Sequence, residues 1–357
     1  MSQLSSRLKP VVDSRVGNIF PAEWLPHAAT WLSWPRNADT WPRNLLAAQS
    51  EFVELVKAIA EDEPVRVMAG HGEDFDAAKR SLGGIRDVEI VPIQTNDAWA
   101  RDYAPTFVVD RAAGKLAALD WHYNAWGGKY PPYEDDQQVA RKVAEYLNCA
   151  HVSIDLCLEG GALEIDASGL LLCTKSCAFD PQRNPNLSPV EIEQRIKCPL
   201  HAADAIWLAG DAIVGDDTDG HIDQLARFTP GGAILYAWSE AQDDPQQVGL
   251  AQNLEDLRRG LAELGRNDLL VPLPLPDPVR LFEAQLPACY CNFYITNGSV
   301  LVPAYGDRKD DRARGIIAEH FPGRRTISLP SVNLSVGLGS FHCLTQQVPA
   351  ARPAHHR

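Results

Sequence analysis

The sequence predicts an α/β domain in which one supersecondary unit recurs around a closed, propeller-like ring. Three observations carry that expectation. The order helix, short apolar strand, polar or proline-rich loop, strand-turn-strand comes round about five times at irregular spacing, with little identity between units. The first strand, Ala29–Ser33, has no hairpin partner of its own, and the last strand-like stretch, Phe341–Thr345, is placed to supply one. No stretch before Val348 reads as a linker, so residues 1–347 are expected to form a single domain and residues 348–357 a loose tail.

The helices come first in each unit. Asn44 to Glu61 carries Phe52, Leu55, Val56 and Ile59 on one face, and Asp136 to Leu147 carries Val139, Val143, Tyr146 and Leu147. Ser188-Pro-Val-Glu191 is a capping box with proline at the first helical position. Asp244-Pro245 opens a helix whose Leu250, Leu254, Leu257, Leu261 and Leu264 form one stripe before Gly265 stops it, and a fifth helix runs from about Lys309 to His320. The strands that follow are Val65–Met68, His151–Ile154, Ala205–Leu208, Leu269–Val271 and Arg325–Leu329. Strand-turn-strand segments fill Thr106–Asp120, Gly161–Thr174, His221–Trp238 and Asn292–Tyr305, the last turning at Asn297-Gly298. An extra helix and strand, Glu73 to Ile93, are inserted in the first unit.

Composition narrows the function. A net charge of -14 disfavours nucleic acid and anionic membranes as partners and suits a small cationic one. Met1–Pro10 has no apolar core of signal-peptide length and no later run approaches a membrane span, so a cytoplasmic location is expected. Eight cysteines without a secretory signal read as reduced thiols. Cys173/Cys177 and Cys289/Cys291 lack the two-residue spacer and the histidine pair of a zinc site, so they are expected to be core thiols, and no metal is expected. The oligomeric state stays open, a homodimer or higher homo-oligomer included.

In a ring of equivalent units, the loops after equivalent strands point to one centre, and those loops hold the unusual residues. They are Asn96–Asp102, Leu158–Gly161, Gly215–Asp223 and Gly337–Gln347. The loop after Val271 is proline-rich and offers nothing evident. Cys343 is a candidate nucleophile at a strand end between glycines and a polar Thr-Gln-Gln. His221 and Asp223, two apart, share a face if their segment is a strand, offering one acid/base and one anion. Glu159 precedes Gly160-Gly161, where backbone can come close, and Asp102 follows Arg101, so a local or neighbouring salt bridge is its plain explanation. Trp99 and Trp126 are core aromatics or cavity walls. A thiol, a histidine and several carboxylates at one centre suit a planar guanidinium: paired carboxylates match its fixed donors, the thiolate attacks its carbon, and the histidine protonates the departing nitrogen.

Asn96-Asp-Ala-Trp-Ala-Arg-Asp102, Asn124-Ala-Trp-Gly-Gly128, Glu159-Gly-Gly161, Arg183-Asn-Pro185, Asp216–Gln224, Asn292–Ile295 and His342-Cys-Leu-Thr-Gln-Gln347 stand in this order. By these motifs, from Phe20 to Gln347, the chain resembles the agmatine deiminases, the family shared with bacterial peptidylarginine deiminases. The resemblance implies the pentein fold, a five-bladed α/β propeller, and no cofactor. It implies Cys343 as nucleophile, His221 as acid/base, Glu159 as the acid supporting that histidine and the substrate nitrogens, and Asp102 with Asp223 as guanidinium clamp. It implies Trp99 and Asp217 beside the alkyl chain and distal amine, with Trp126 among the substrate contacts. The expected reaction is hydrolysis of agmatine to N-carbamoylputrescine and ammonia. A sibling activity on peptidyl-arginine or another guanidine, or a non-catalytic propeller binding guanidino or polyamine ligands, are the alternatives. Gly337-Leu338-Gly339-Ser340-Phe341 departs from the family's three glycines followed by Asn-Ile, so pocket shape is where the agmatine assignment is most exposed.

Overall fold

In the computed structural model, which describes residues 18–351 apart from Arg111, the recurring unit takes one form five times. A hairpin is extended by a strand that returns parallel to its second arm through a helix. Ala226–Phe228 pairs antiparallel with Ala233–Trp238, the helix Gln247–Glu263 crosses over, and Leu269–Pro274 adds in parallel. The same order holds for Thr106–Asp110, Lys115–His122 and Ala150–Cys157 around the helix Val139–Leu147. It holds for Glu164–Ile165, Leu170–Thr174 and Asp204–Leu208 around Pro189–Leu200, and for Tyr294–Ile295, Ser299–Ala304 and Arg325–Pro330 around Asp310–His320. A parallel neighbour requires such a crossover, which is why every unit spends a helix on it.

The fifth unit joins the two ends of the described chain. His27–Ser33 lies parallel to Val65–Met68 across the helix Leu45–Ala60, and Gln346–Pro349 pairs with it antiparallel, setting Gln346 opposite Trp31 and Val348 opposite Ala29. The helix Glu73–Leu82 and strand Val88–Val91 extend this sheet, as the insertion predicted. The expected stripes bury Phe52, Leu55, Val56 and Ile59, and Leu250, Leu254, Leu257 and Leu261, each against its own sheet. Tyr146 and Leu264 fall at the margins of their stripes and stay largely exposed.

Three expectations change. Phe341–Leu344 is a helical turn and not the closing strand; Thr345 Oγ1 donates to the carbonyls of Phe341 and His342 and holds the turn, so pairing begins only at Gln346. Residues 348 and 349 therefore belong to a sheet and not to a tail, while residues 352–357 and the N-terminal stretch Met1–Pro10 lie outside the described residues. Ile222–Gln224 is a 3-10 turn and not a strand. Its loop winds around Asp216, whose carboxylate accepts from Thr218, Gly220 and Gln224. Among the described residues, no helix is long and apolar enough to cross a membrane.

Candidate active site

A cavity of about 760 Å³ opens where the motif loops converge, with Cys343 at its floor and Asp39, Asp97, Asp102, Asp136 and Asp217 on its walls against Arg36 and Lys129. The excess of carboxylates gives it an acidic lining suited to a cation. Cys343 is 4% exposed, and its Sγ receives the Asn292 side-chain amide at 3.1 Å and lies 3.6 Å from Asp223 Oδ2. Asn292 Oδ1 also accepts from the backbone N–H groups of His342 and Cys343, so one side chain fixes both the turn and the sulfur. Burial first, then the charges of Asp223 and Asp102, push the Cys343 thiol well above its ordinary range. That direction favours the thiol over the thiolate.

His221 is fully buried between two carboxylates, with Nδ1 3.6 Å from Asp102 Oδ1 and Nε2 3.5 Å from Glu159 Oε2. Neither nitrogen makes a well-formed hydrogen bond within the site. Burial alone would depress its basicity, but Asp102, Cys177 and Glu159 together hold it well above the usual imidazole range, so it rests protonated. Glu159 has no exposure, yet both its oxygens lie 2.9 Å from Arg183 Nε; against the upward pull of burial, Arg183 and His221 bring it down to about 2. Arg183 is in turn anchored by Asp180 and Asp219.

Asp102, Asp223 and His221 converge on Gly161, which makes room for all three. A Cβ on Gly161 would fall 2.5 Å from His221 Nδ1, 2.8 Å from Asp102 Oδ1 and 3.2 Å from Asp223 Oδ2. Asp102 accepts from the Gly161 backbone N–H and from Trp126 Nε1, each at 3.0 Å, while Arg101 turns away to the His342 carbonyl and Gln347. The expected pairing with Arg101 is thus replaced by neutral donors. Burial, reinforced by Asp223 and Glu159 against His221, raises Asp102 to about 6. Asp223 Oδ2 meets His342 Nδ1 at 2.7 Å, its Oδ1 has no protein partner, and His342 outweighs burial to hold the carboxyl below its usual range.

Trp99 lines the cavity, and it is both wall and core, stacked 5.4 Å from Trp41. Gly339 is required there, since its Cβ would lie 2.4 Å from the Trp99 ring. Trp126 sits on a strap in which Ala125, Trp126, Gly127 and Gly128 all have left-handed backbone, and it reaches Asp102 from there. Asp217 lies at the mouth, its carboxylate already engaged by Lys129 at 3.2 Å and by the Tyr130 hydroxyl. Leu338 adopts φ +72° and lines the cavity beside Gly337, whereas Phe341 is fully buried and Ser340 bonds Ser331 at 2.7 Å. Of the three departures in this stretch, only Leu338 touches the cavity.

Arg183, Asn292 and Cys177 carry contacts that the reading of the sequence gave no role. Asn292 and Arg183 both stand in quoted motifs. Asn292 comes from the unit whose preceding loop looked empty, and its signal was its place in a motif beside a hairpin. Cys177, expected as a plain core thiol, lies 3.5 Å from Glu159 Oε2. Glu159, Cys177 and His221 offer three ligand atoms within 4.8 Å of one another. Arg183 occupies both Glu159 oxygens, which makes this a charge-paired pocket and not a free ligand set.

The comparisons agree with one another. The family model for Porphyromonas-type peptidyl-arginine deiminase matches residues 19–349. An agmatine deiminase of Pseudomonas aeruginosa (strain UCBPP-PA14) is 37% identical over 357 residues, covering 94% of this chain and 96% of that one. The solved agmatine deiminase of Enterococcus faecalis superposes with a TM-score of 0.88 at 30% identity, covering 94% of this chain and 96% of its own. An agmatine deiminase of C. jejuni solved with substrate bound gives 0.84 at 30% identity, covering 93% and 96%. With that model spanning the described sheets from first to last, the chain belongs to the family of Porphyromonas-type peptidyl-arginine deiminases.

Proposed function

We propose that the protein hydrolyses agmatine to N-carbamoylputrescine and ammonia. The observation that carries this reading is Cys343 and Asp102 lining an acidic cavity, with Asp223, His221 and Glu159 buried directly behind them. A guanidinium seated between Asp102 and Asp223 brings a positive charge beside the two anions that hold the thiol protonated, and Cys343 loses its proton to solvent as that charge arrives. The Cys343 thiolate forms a bond to the guanidinium carbon. His221 delivers its proton to the departing nitrogen and ammonia leaves, giving a covalent thiouronium. Neutral His221 then takes a proton from water, the hydroxyl adds to the same carbon, and collapse expels the Cys343 sulfur, which takes up the hydroxyl's proton as the ureido C=O forms. Glu159, kept ionised by Arg183, stabilises the imidazolium and accepts from the substrate nitrogens. Trp99 and Trp126 flank the alkyl chain, and Asp217 at the mouth faces the distal amine. The five recurring sheets are read as blades of a pentein propeller around this centre, within one catalytic domain, and a cytoplasmic location fits a small metabolite as substrate.

The test is ammonia release from agmatine, free arginine and a blocked arginine peptide, with Cys343→Ala as control. Turnover of agmatine that disappears in the control is expected. Turnover of another panel member without agmatine would replace the substrate, and the peptide is the sibling reading favoured by a cavity of about 760 Å³. Acid-quenched intact mass should show the thiouronium on Cys343; binding with neither adduct nor ammonia would point to the non-catalytic reading.

A further inference from the structure

His342 precedes the nucleophile but does not line the cavity, and it is 1% exposed. Its two ring nitrogens both face carboxylates: Nδ1 lies 2.7 Å from Asp223 Oδ2 and Nε2 lies 2.8 Å from Glu23 Oε2. Neutral imidazole has one N–H and one lone pair, and an ionised carboxylate only accepts. Either neutral tautomer would set a lone pair against a carboxylate oxygen at less than 3 Å in a buried site. We infer that His342 is a doubly protonated, positioning imidazolium that orients Asp223 through Oδ2 and keeps it ionised, leaving Oδ1 to take the substrate's guanidinium.

The surroundings bear on which member of each pair carries the proton. Glu23 also accepts from Arg227 Nη2 at 2.7 Å, and Arg227 Nε reaches Glu164 at 3.1 Å. Arg227 cannot give up its charge, so Glu23 facing it stays a carboxylate, held well below the usual range by Arg227 and His342 despite burial. The charges then alternate from Asp223 through His342 and Glu23 to Arg227, which also meets Glu164, a carboxyl that burial pushes up. Arg101 donates to the His342 carbonyl at 3.2 Å, and Cys343 Sγ lies 3.6 Å from the same Asp223 Oδ2 that His342 Nδ1 meets. Because Asn292 holds the backbone of the same residue, the turn that carries the nucleophile and the charge of the clamp are set by one position.

The kinetic consequence rests on the deimination reading, so the test has two arms that fail separately. In the first, the full-length protein labelled with 15N-histidine is examined at neutral pH, with His342→Gln identifying the signals. Both His342 nitrogens should show the chemical shift of protonated ring nitrogen, and one protonated with one unprotonated nitrogen overturns the inference whatever the substrate is. In the second, agmatine binding is titrated by NMR in the inert Cys343→Ala protein. His342→Gln should weaken binding about 30-fold when Asp223 is present, the scale of a charge-assisted contact, and less than about 3-fold in Asp223→Asn. Equal losses in both backgrounds would mark His342 as merely structural and overturn the positioning role. If agmatine binds none of these proteins, the substrate reading fails and the spectroscopic arm decides alone.

Discussion

Asp102 and Asp223 are the same side chain at similar depth beside His221, and their surroundings pull them in opposite directions. Asp102 meets a backbone N–H and an indole N–H, both neutral, and faces the like charges of Asp223 and Glu159; it is raised to about 6. Asp223 meets the His342 ring at 2.7 Å and is lowered. Burial penalises both, so the partner alone decides the sign. One half of the proposed clamp thereby keeps its charge far into acid, while the other gives it up below about 6.

The largest break in this contrast comes from amide substitution. Asp223→Asn removes a clamp charge and leaves His342 with an uncompensated side, so kcat/KM should fall about 10⁴-fold and unfolding free energy by about 3 to 5 kcal/mol. Asp102→Asn should cost about 10³-fold in kcat/KM, yet change folding stability by less than about 1 kcal/mol, because the ionised form it replaces is itself disfavoured. Steady-state kinetics and denaturant titration of the two variants measure both. Equal destabilisation by the two would erase the contrast.

Acid should separate the pair next. A raised carboxyl favours the fold below its unfolded value near 4 and loses that contribution as pH rises through about 6, whereas the lowered Asp223 supports the fold at neutral pH and loses that support only as pH falls through its depressed value. The activity consequence is that kcat/KM should fall about tenfold per unit below pH 6 as Asp102 takes a proton. In kcat the acid limb should lie lower, since bound guanidinium stabilises the carboxylate. A pH–rate profile flat to pH 5 would show Asp102 ionised and the asymmetry absent. Smallest of all, Trp126→Phe removes the 3.0 Å donor to Asp102 Oδ2. It should cost about 5- to 10-fold in kcat/KM and move the acid limb upward, since that donor favours the charged form.

The contrast also marks what a linear sequence discloses. The recurring unit was legible because crossover helices need an apolar stripe and parallel strands need a crossover, and both leave periodic traces at Leu250–Leu261 and Val65–Met68. The loops holding Asp102, Glu159, His221 and Cys343 were legible because equivalent positions in repeated units converge. Local conformation there was not: Cys343 rides a helical turn and Asp223 a 3-10 turn, each held by side chains, Thr345 and Asp216, whose bonds compete with strand pairing.

The chain by itself determined the residue types at the centre, the acidic balance and the order of elements, since these follow from short-range pattern and composition. Only the tertiary structure decided which carboxylate holds its charge more firmly. Asp102 meets Trp126 from 24 residues away, and Asp223 meets His342 from 119 away. A burial penalty common to both is resolved by a single contact across the fold, and charge–charge interaction depends on distance in space, not along the chain.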